Sequence, residues 1–502
     1  MKIKSIAAAC LALCSVSAFA APLNPNAPGT YATYYIAGAS ALAPAITNVV
    51  QGLNADGTSG TSQFFATPAD VVKIAQSCPA AYTPNCDKVT LFFGVPKAGS
   101  GLAAGTNLVV IYNSADGSFA GMNQMANLGG AAAALADYSN ITFNTDGTFT
   151  FGSNGLYHGY VPKLGSGLVL TGSGTSYTTT EQAFNGSPTV AGTPNAHFGF
   201  VKADIAAADV HAFENVTGAF TPGQGGFQTA GNITSKTIGL ETFGIAVNPA
   251  LYLALQLAEG LVPVGTAAPD LTTTKIPNIR SVDYASLIAQ SSATKSTAQF
   301  LSNYQAGNTD AAEITIERRI NLSGTQASSG IFFLDSGCGK GAANPTNAAV
   351  DSNPGIYTVV ENSQTGDVTT ALKATNTSGY ALGIVSLEKN QPLTAASYNF
   401  VKLDGVSPNY SAAGVYDSKG RINTSLGNYK YAVEATVNFD KTNTNPVHLA
   451  FGTNLVNGLA NSTLHNLVGI SYLDGAVDTA DNKQARFDHG GSTNCTPLLA
   501  NQ

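Results

Sequence analysis

The chain reads as an α/β protein of more than one lobe, interrupted by a β-rich excursion, and three observations carry that reading. Short β-like runs alternate with helix-like segments near the start and again past the midpoint, as in parallel α/β units. Between Leu128 and Lys236 this gives way to short alternating runs broken by Gly, Asn and Asp, which read as β-hairpins or long loops. After the first twenty residues about 480 remain, enough for two or three lobes of roughly 100–200 residues each. A core of that size does not depend on disulfides for its existence.

Residues 1–20 read as a secretory signal: Lys2 and Lys4, an apolar run Ile6–Val16, then the small-x-small site Ala18-Phe19-Ala20. The run is too short to span a bilayer, and no later stretch suits a transmembrane helix. A lipid anchor would want a small residue before its cysteine, whereas Leu13 precedes Cys14. The expectation is a mature chain starting near Ala21, periplasmic or extracellular, with no membrane insertion.

The elements follow in order. "TYYIAG" is a strand, "ALAPAITNVVQGL" a helix with Pro44 in its first turn, and "KVTLFFGV" and "TNLVVIYN" are strands. Beyond the excursion, "TIGLETFGIAVN" is a strand and "PALYLALQLAEGL" a helix opened by Pro249, whose missing N–H is harmless at that position. "DYASLIAQ" and "STAQFLSNYQ" are short helices. "EITIE" is strand-like, "TQASSGIFFL" begins a helix, and "GYALGIVSLE" and "YNFVKLDGVSPN" are strand-like. The "ADGTSG", "SADGSFAG" and "NTDGTF" echoes are turn chemistry, too irregularly spaced for a repeat architecture.

Charged residues make up 11% of the chain and the formal net charge is −7. With no basic stripe, nucleic acid and anionic membrane are excluded as expected partners. Cys10 and Cys14 leave with the signal, and Cys78, Cys86, Cys338 and Cys495 remain for an oxidising compartment, where disulfides are the default. Cys78 and Cys86 flank the turn-rich "PAAYTPN" and close a local loop, which by elimination pairs Cys338 with Cys495. A metal site competes with this reading, but His158, His197, His211, His448, His465 and His489 are scattered without ligand-like spacing. Neither metal nor cofactor is expected.

Three places share one chemistry. After "TYYI", Gly38-Ala39-Ser40 hands a strand to a helix through a bare corner carrying one hydroxyl. Such a corner exposes the first free N–H groups of the helix, and with the positive end of the dipole they form an anion site. The plainer alternative makes Ser40 an ordinary N-cap. In "ERRINLSGTQASSG", Arg319 stands four residues before Ser323-Gly324-Thr325, again a strand, a hydroxyl corner and a helix start, now with a guanidinium whose planar donors suit an oxyanion. The alternative is a surface arginine paired with Glu317. A further corner lies at Gly117-Ser118.

"AGASALAPAI", "DGSFAGM", "RINLSGT" and "GYALGIVSLE…YNFVKLDGVSPN" resemble, in that order, landmarks of the periplasmic phosphate-binding proteins of ABC importers. The resemblance covers about half of the mature chain, around Tyr34–Asn127 and Ile238–Asn409. It implies a two-lobed, type II periplasmic-binding-protein-like α/β fold with a hinge and a β-rich insertion. Lobe 1 would take 21–127, an insertion and return to lobe 1 would take 128–237, lobe 2 would take 238–370, and the C-terminal part of lobe 1 would take 371–502. It also implies a secreted solute-binding protein, not an enzyme, that holds phosphate or a similar tetrahedral oxyanion and delivers it to an ABC importer membrane complex. By position the ligand-binding residues would be Ser40 with the Ala41 N–H, Ser118, Arg319, Ser323, Gly324 and Thr325. Asn321 stands where the family has an aspartate, and Asp204 in "HFGFVKAD" loosely matches the family's other carboxylate. An asparagine accepts the phosphate proton but brings no charge to reject sulfate.

Two rival functions remain open. A hydrolase lacks its usual marks, since no Gly-x-Ser-x-Gly elbow occurs. A secreted structural or adhesive protein that keeps the fold but has lost its ligand suits the sparse charge and the insertion near 128–197.

Overall fold

The computed structural model describes residues 31–68, 71–75, 89–114, 117–126, 233–289, 295, 301, 313–335, 350–374, 379–389, 391–440 and 443–472, with short strand segments between 135 and 208 and at 486–488 and 499–501. The signal segment 1–20, the four cysteines Cys78, Cys86, Cys338 and Cys495, Asp204, and all of "STAQFLSNYQ" but Leu301 lie outside the described residues.

The protein is a mixed α/β molecule whose described residues build one sheet of thirteen strands. In chain order these are β1 (Tyr31–Gly38), β2 (Val72–Ala75), β3 (Val89–Gly94), β4 (Asn107–Asn113), β5 (Ile205–Ala208), β6 (Ile233–Val247), β7 (Ile314–Arg319), β8 (Asp351–Asn353), β9 (Tyr357–Asn362), β10 (Tyr380–Ser386), β11 (Asn399–Phe400), β12 (Ala432–Asp440) and β13 (Ile470–Ser471). The order across the sheet is β8-β9-β7-β10-β6-β12-β5-β1-β4-β3-β2, with β11 and β13 each paired to β6. Among the described residues the helices of eight residues or more are α1 (Ala43–Gln51), α2 (Ser118–Ala126), α3 (Pro249–Ala258), α4 (Ser281–Ile288), α5 (Gly324–Leu334), α6 (Thr365–Ala374) and α7 (Pro446–Ala460). Between 135 and 208 the described segments outside β5 are short antiparallel pairs such as Ile141–Phe143 with Phe149–Phe151.

Among the described strands of this sheet, parallel pairing falls in two patches. In one, β1 lies between β4 and β5; in the other, β7 lies between β9 and β10. Strands buried on both faces need a continuous apolar run, and Tyr34, Tyr35, Ile36 and Ala37 supply one in β1. The parallel α/β organisation that the alternating pattern suggests holds in these patches, and the other described pairs of the sheet are antiparallel. β3 and β4 are antiparallel because residues 95–106 between them form turns and no helical crossover.

Two cores are strung along the sheet. The first gathers Tyr34 and Ile36 of β1, Ile46 and Val49 of α1, Phe92, Val110, and Phe451 and Leu455 of α7. The second gathers Phe243, Ile245 and Val247 of β6, Leu251 and Leu255 of α3, Leu287 of α4, Ile316 of β7 and Leu382 of β10. A smaller cluster of Val368 and Leu372 of α6 with Ala246, Val385 and Phe400 holds α6 to the sheet. Helix α3 begins where the sequence says it should: Pro249 is its first residue, and the Asn248 side chain caps it by accepting from the Leu251 N–H at 3.0 Å. No described helix is long and apolar enough to cross a membrane.

Candidate functional site

The three corners read from the sequence come together. At the first, β1 ends at Gly38 and Ala39 accepts a hydrogen bond on its carbonyl from the Tyr112 hydroxyl. Ser40 does not cap α1, because Leu42 holds the N-cap position with no side-chain bond. The Ser40 side chain is buried, the residue being only 6% exposed, and among the described residues its Oγ has no hydrogen-bond partner. Ala41 packs into the second core, so this corner touches both cores.

At the second corner Gly117 has φ +88°, in the left-handed region that suits glycine, and buried Ser118 opens α2. Helix α2 lies directly on the end of β1: a Cβ on Gly121 would stand 2.4 Å from the Gly38 Cα. A Cβ on Gly117 would stand 2.8 Å from the Ser323 Cα, and the Phe119 N–H donates to the Leu322 carbonyl at 3.0 Å. The second corner therefore meets the third backbone to backbone.

At the third corner β7 ends at Arg319, and Ser323, 1% exposed, is the N-cap of α5 without a side-chain capping bond. Gly324 and Thr325 form the buried first turn, and the Ser328 hydroxyl donates to the Thr325 carbonyl at 2.9 Å while lying 3.1 Å from the Tyr431 hydroxyl.

Arg319 leads to a fourth corner that sequence reasoning missed. Its guanidinium is 2% exposed overall and bonds the start of α6, with Nη1 on Thr365 Oγ1 at 2.8 Å, Nη2 on the Ser363 carbonyl at 2.8 Å and Nε on the Asn362 carbonyl at 3.3 Å. Gln364, next in that corner, donates from Nε2 to the Ser114 carbonyl at the end of β4 at 3.2 Å. The signal available was a strand, "YTVVEN", running into Ser363, Thr365 and Asp367, a hydroxyl-rich helix start like the other three. Asp367 indeed serves that start, accepting from the Ser363 hydroxyl and the Gln364 N–H.

Asn321 is placed apart from this convergence. It is exposed and its Oδ1 accepts from Arg318 Nη1 at 3.0 Å, while Arg318 Nη2 pairs with Glu361 at 2.5 Å. Glu317 accepts from Asn362 Nδ2 at 2.8 Å, and burial pushes its carboxyl pKa up against that bond. A cavity of about 20 Å³ borders Arg319, Thr325 and Gln326 on the α4 side. That is room for one water molecule. Among the described residues no group of three His, Cys, Asp or Glu side chains could hold a metal.

No family model matches the chain, and no curated protein matches it either. Similar solved structures include a candidate phosphate ABC transporter substrate-binding protein with bound phosphate from Clostridium perfringens, 11% identical over 54% of this chain and 80% of that one, with a TM-score of 0.32. An ABC-type phosphate transport receptor from Vibrio cholerae is 14% identical over 50% and 73%, with a TM-score of 0.28. A phosphate-binding protein from Stenotrophomonas maltophilia is 16% identical over 52% and 69%, with a TM-score of 0.26. At these values the likeness says nothing about a ligand, which must be argued from the chain's own residues.

Proposed function

We propose that the protein is an exported solute-binding protein, not an enzyme, that holds a tetrahedral oxyanion such as phosphate among its converging corners. One observation supports the reading: the starts of α2 and α5 meet backbone to backbone, the end of β1 leading into α1 lies against α2, and Arg319 is bonded to the start of α6. Positive dipole ends gathered in this way repel one another, and an anion among them removes the repulsion and takes up their free N–H groups. Ser40 and Ser323 fit the role because their hydroxyls do not cap their own helices. The amide of Ala41, the hydroxyls of Ser118 and Thr325 and the amide of Gly324 complete the proposed set. Arg319 adds its charge from behind, fixing the fourth corner. Delivery to an ABC importer would follow from this role.

Thermal unfolding with phosphate, sulfate and arsenate tests it. A ligand at a hundredfold excess over its dissociation constant stabilises by about 2.7 kcal/mol. Ser40→Ala and Ser323→Ala should each weaken binding about tenfold, the loss of one hydrogen bond to a charged group, without lowering the melting temperature of the unliganded protein. A ligand-free scaffold would show no shift with any anion, and that result, or indifference to both serine substitutions, defeats the proposal.

A further inference from the structure

Away from the corners, a groove of about 660 Å³ opens between the 3-10 turn Thr273–Lys275, the loop 405–414 and the segment 427–430. Its size falls in the range of small-molecule sites, roughly 300–1,000 Å³, and far exceeds a single inorganic oxyanion. None of the corner residues contributes to it.

The walls are held by the chain's own bonds and leave the groove open. Asn423, buried beneath the loop, donates from Nδ2 to the Ser407 carbonyl at 2.7 Å and the Tyr410 carbonyl at 2.6 Å. The loop tip returns through the ring pair Tyr410–Tyr416, 5.2 Å apart, and Gly414 comes against Thr273 on the opposite wall. The loop thus spans the groove as a fixed bridge.

Its charge runs against that of the molecule. The chain carries a formal net charge of −7, yet the groove is lined by Lys402 and Lys430 and by no carboxylate. The neighbouring acids do not line the groove and are held elsewhere: Glu259 receives the Asn278 N–H at 2.7 Å and feels the charge of Lys402, Asp270 receives the Thr272 N–H, Asp404 the Ser281 N–H and Asp417 the Arg421 N–H. Ile276, Val406 and Tyr410 supply an apolar and aromatic surface beside the two ammonium groups. A cationic patch beside apolar surface selects a guest that is charged at one end and apolar along its body.

We propose that this groove is a second binding site, for a small organic anion whose charged group is met by Lys402 and Lys430 and whose body lies on Tyr410, Val406 and Ile276. The proposal is independent of the oxyanion reading.

Anilinonaphthalene sulfonate is a suitable probe, read by its fluorescence on the full folded protein. One saturable site is expected, with the neutral phenylnaphthylamine binding about tenfold more weakly and with affinity falling as ionic strength rises. The Lys402→Gln/Lys430→Gln pair should weaken the dye about tenfold, as loss of two partly screened charge contacts would. Ala413→Trp, a substitution at an exposed groove residue, should block it without touching either lysine. The absence of a saturable site, equal binding of the neutral dye, or indifference to both variants would overturn the proposal. So would displacement of the dye by inorganic phosphate at concentrations that saturate the corners.

Discussion

At Gly121 the chain has room for a hydrogen and nothing larger. A Cβ there would meet the Gly38 Cα at 2.4 Å and the Ala37 carbonyl carbon at 2.8 Å, both backbone atoms that cannot turn aside. Gly121→Ala must therefore push α2 off the end of β1, and overpacking of this kind typically costs about 1–3 kcal/mol. Urea unfolding should show that loss, and any anion response should weaken with it because the first two corners separate. His465 offers a second test at the same scale. It is wholly buried, its Nδ1 sits 2.7 Å from the Leu53 carbonyl, and burial lowers its pKa against the backbone hydrogen bonds of Leu53 and Thr61. Its folded pKa lies below its unfolded value of about 6.5, so the unfolded state takes up the proton first. The stability it contributes is complete above that value and is lost as pH falls from there toward the lowered folded pKa. Melting temperatures should drop as the pH falls below about 6.5, and His465→Gln should flatten that slope. An unchanged slope would show that other groups set it. Glu317 and Glu259, with raised pKa values, push the other way, since acidification protonates them more readily in the folded state.

Two helix caps separate local from tertiary contributions at the scale of the element. Asn445 caps α7 in exposed surroundings, accepting from the Val447 and His448 N–H groups at 3.0 and 3.4 Å. Asn248 caps α3 while buried, and it also accepts from the Ala381 N–H at 3.1 Å and donates to the Gly379 carbonyl at 3.1 Å. Asn445→Ala should cost about 1 kcal/mol, the usual loss of a cap. Asn248→Ala should cost about 3 kcal/mol, because it also strands groups of β10 and the residue before it. Chemical denaturation of the two variants measures the gap, and equal losses would mean that Asn248 acts on its helix alone. These caps also show what the sequence made legible. Pro249 after Asn248, the aromatic and branched run of β1 and the hydroxyl corners are local signals, so their elements could be read in order. Of the partners of Arg319, the Thr365 hydroxyl had a local signal, but the carbonyl oxygens of Asn362 and Ser363 are groups that every residue carries and no sequence pattern marks. Asn321 shows the complementary limit. Its spacing from Arg319 matches a family motif, but its side chain turns outward to Arg318, a choice made by packing. The antiparallel β2-β3-β4 edge was hidden because strand residues alone do not say whether a turn or a crossover follows.

The whole molecule is held by strands that belong to both cores. β6 gives Ile238 to the first core and Phe243, Ile245 and Val247 to the second. β12 gives Ala435 and Val437 to the first while Val433 packs against the second, and Ala41 carries the first corner into the second core. All of β12 pairs with the first two thirds of β6, from Ile233 with Asp440 to Thr242 with Ala432. Unfolding either core would leave a strand with one end ordered and the other exposing apolar side chains and unpaired amides, a state with little to favour it. The two cores should therefore melt as one. Leu455→Ala removes packing from the first core alone and Ile316→Ala from the second alone, each at a cost of about 2–5 kcal/mol. In calorimetry each variant should shift the main transition as a whole, with coincident loss of near-ultraviolet and far-ultraviolet circular dichroism. Two resolved peaks, of which each substitution moves only its own, would mean that β6 and β12 act as a flexible connection and not as shared structure. In that case the corners, which draw on residues of both cores, would depend on the ligand to hold them together.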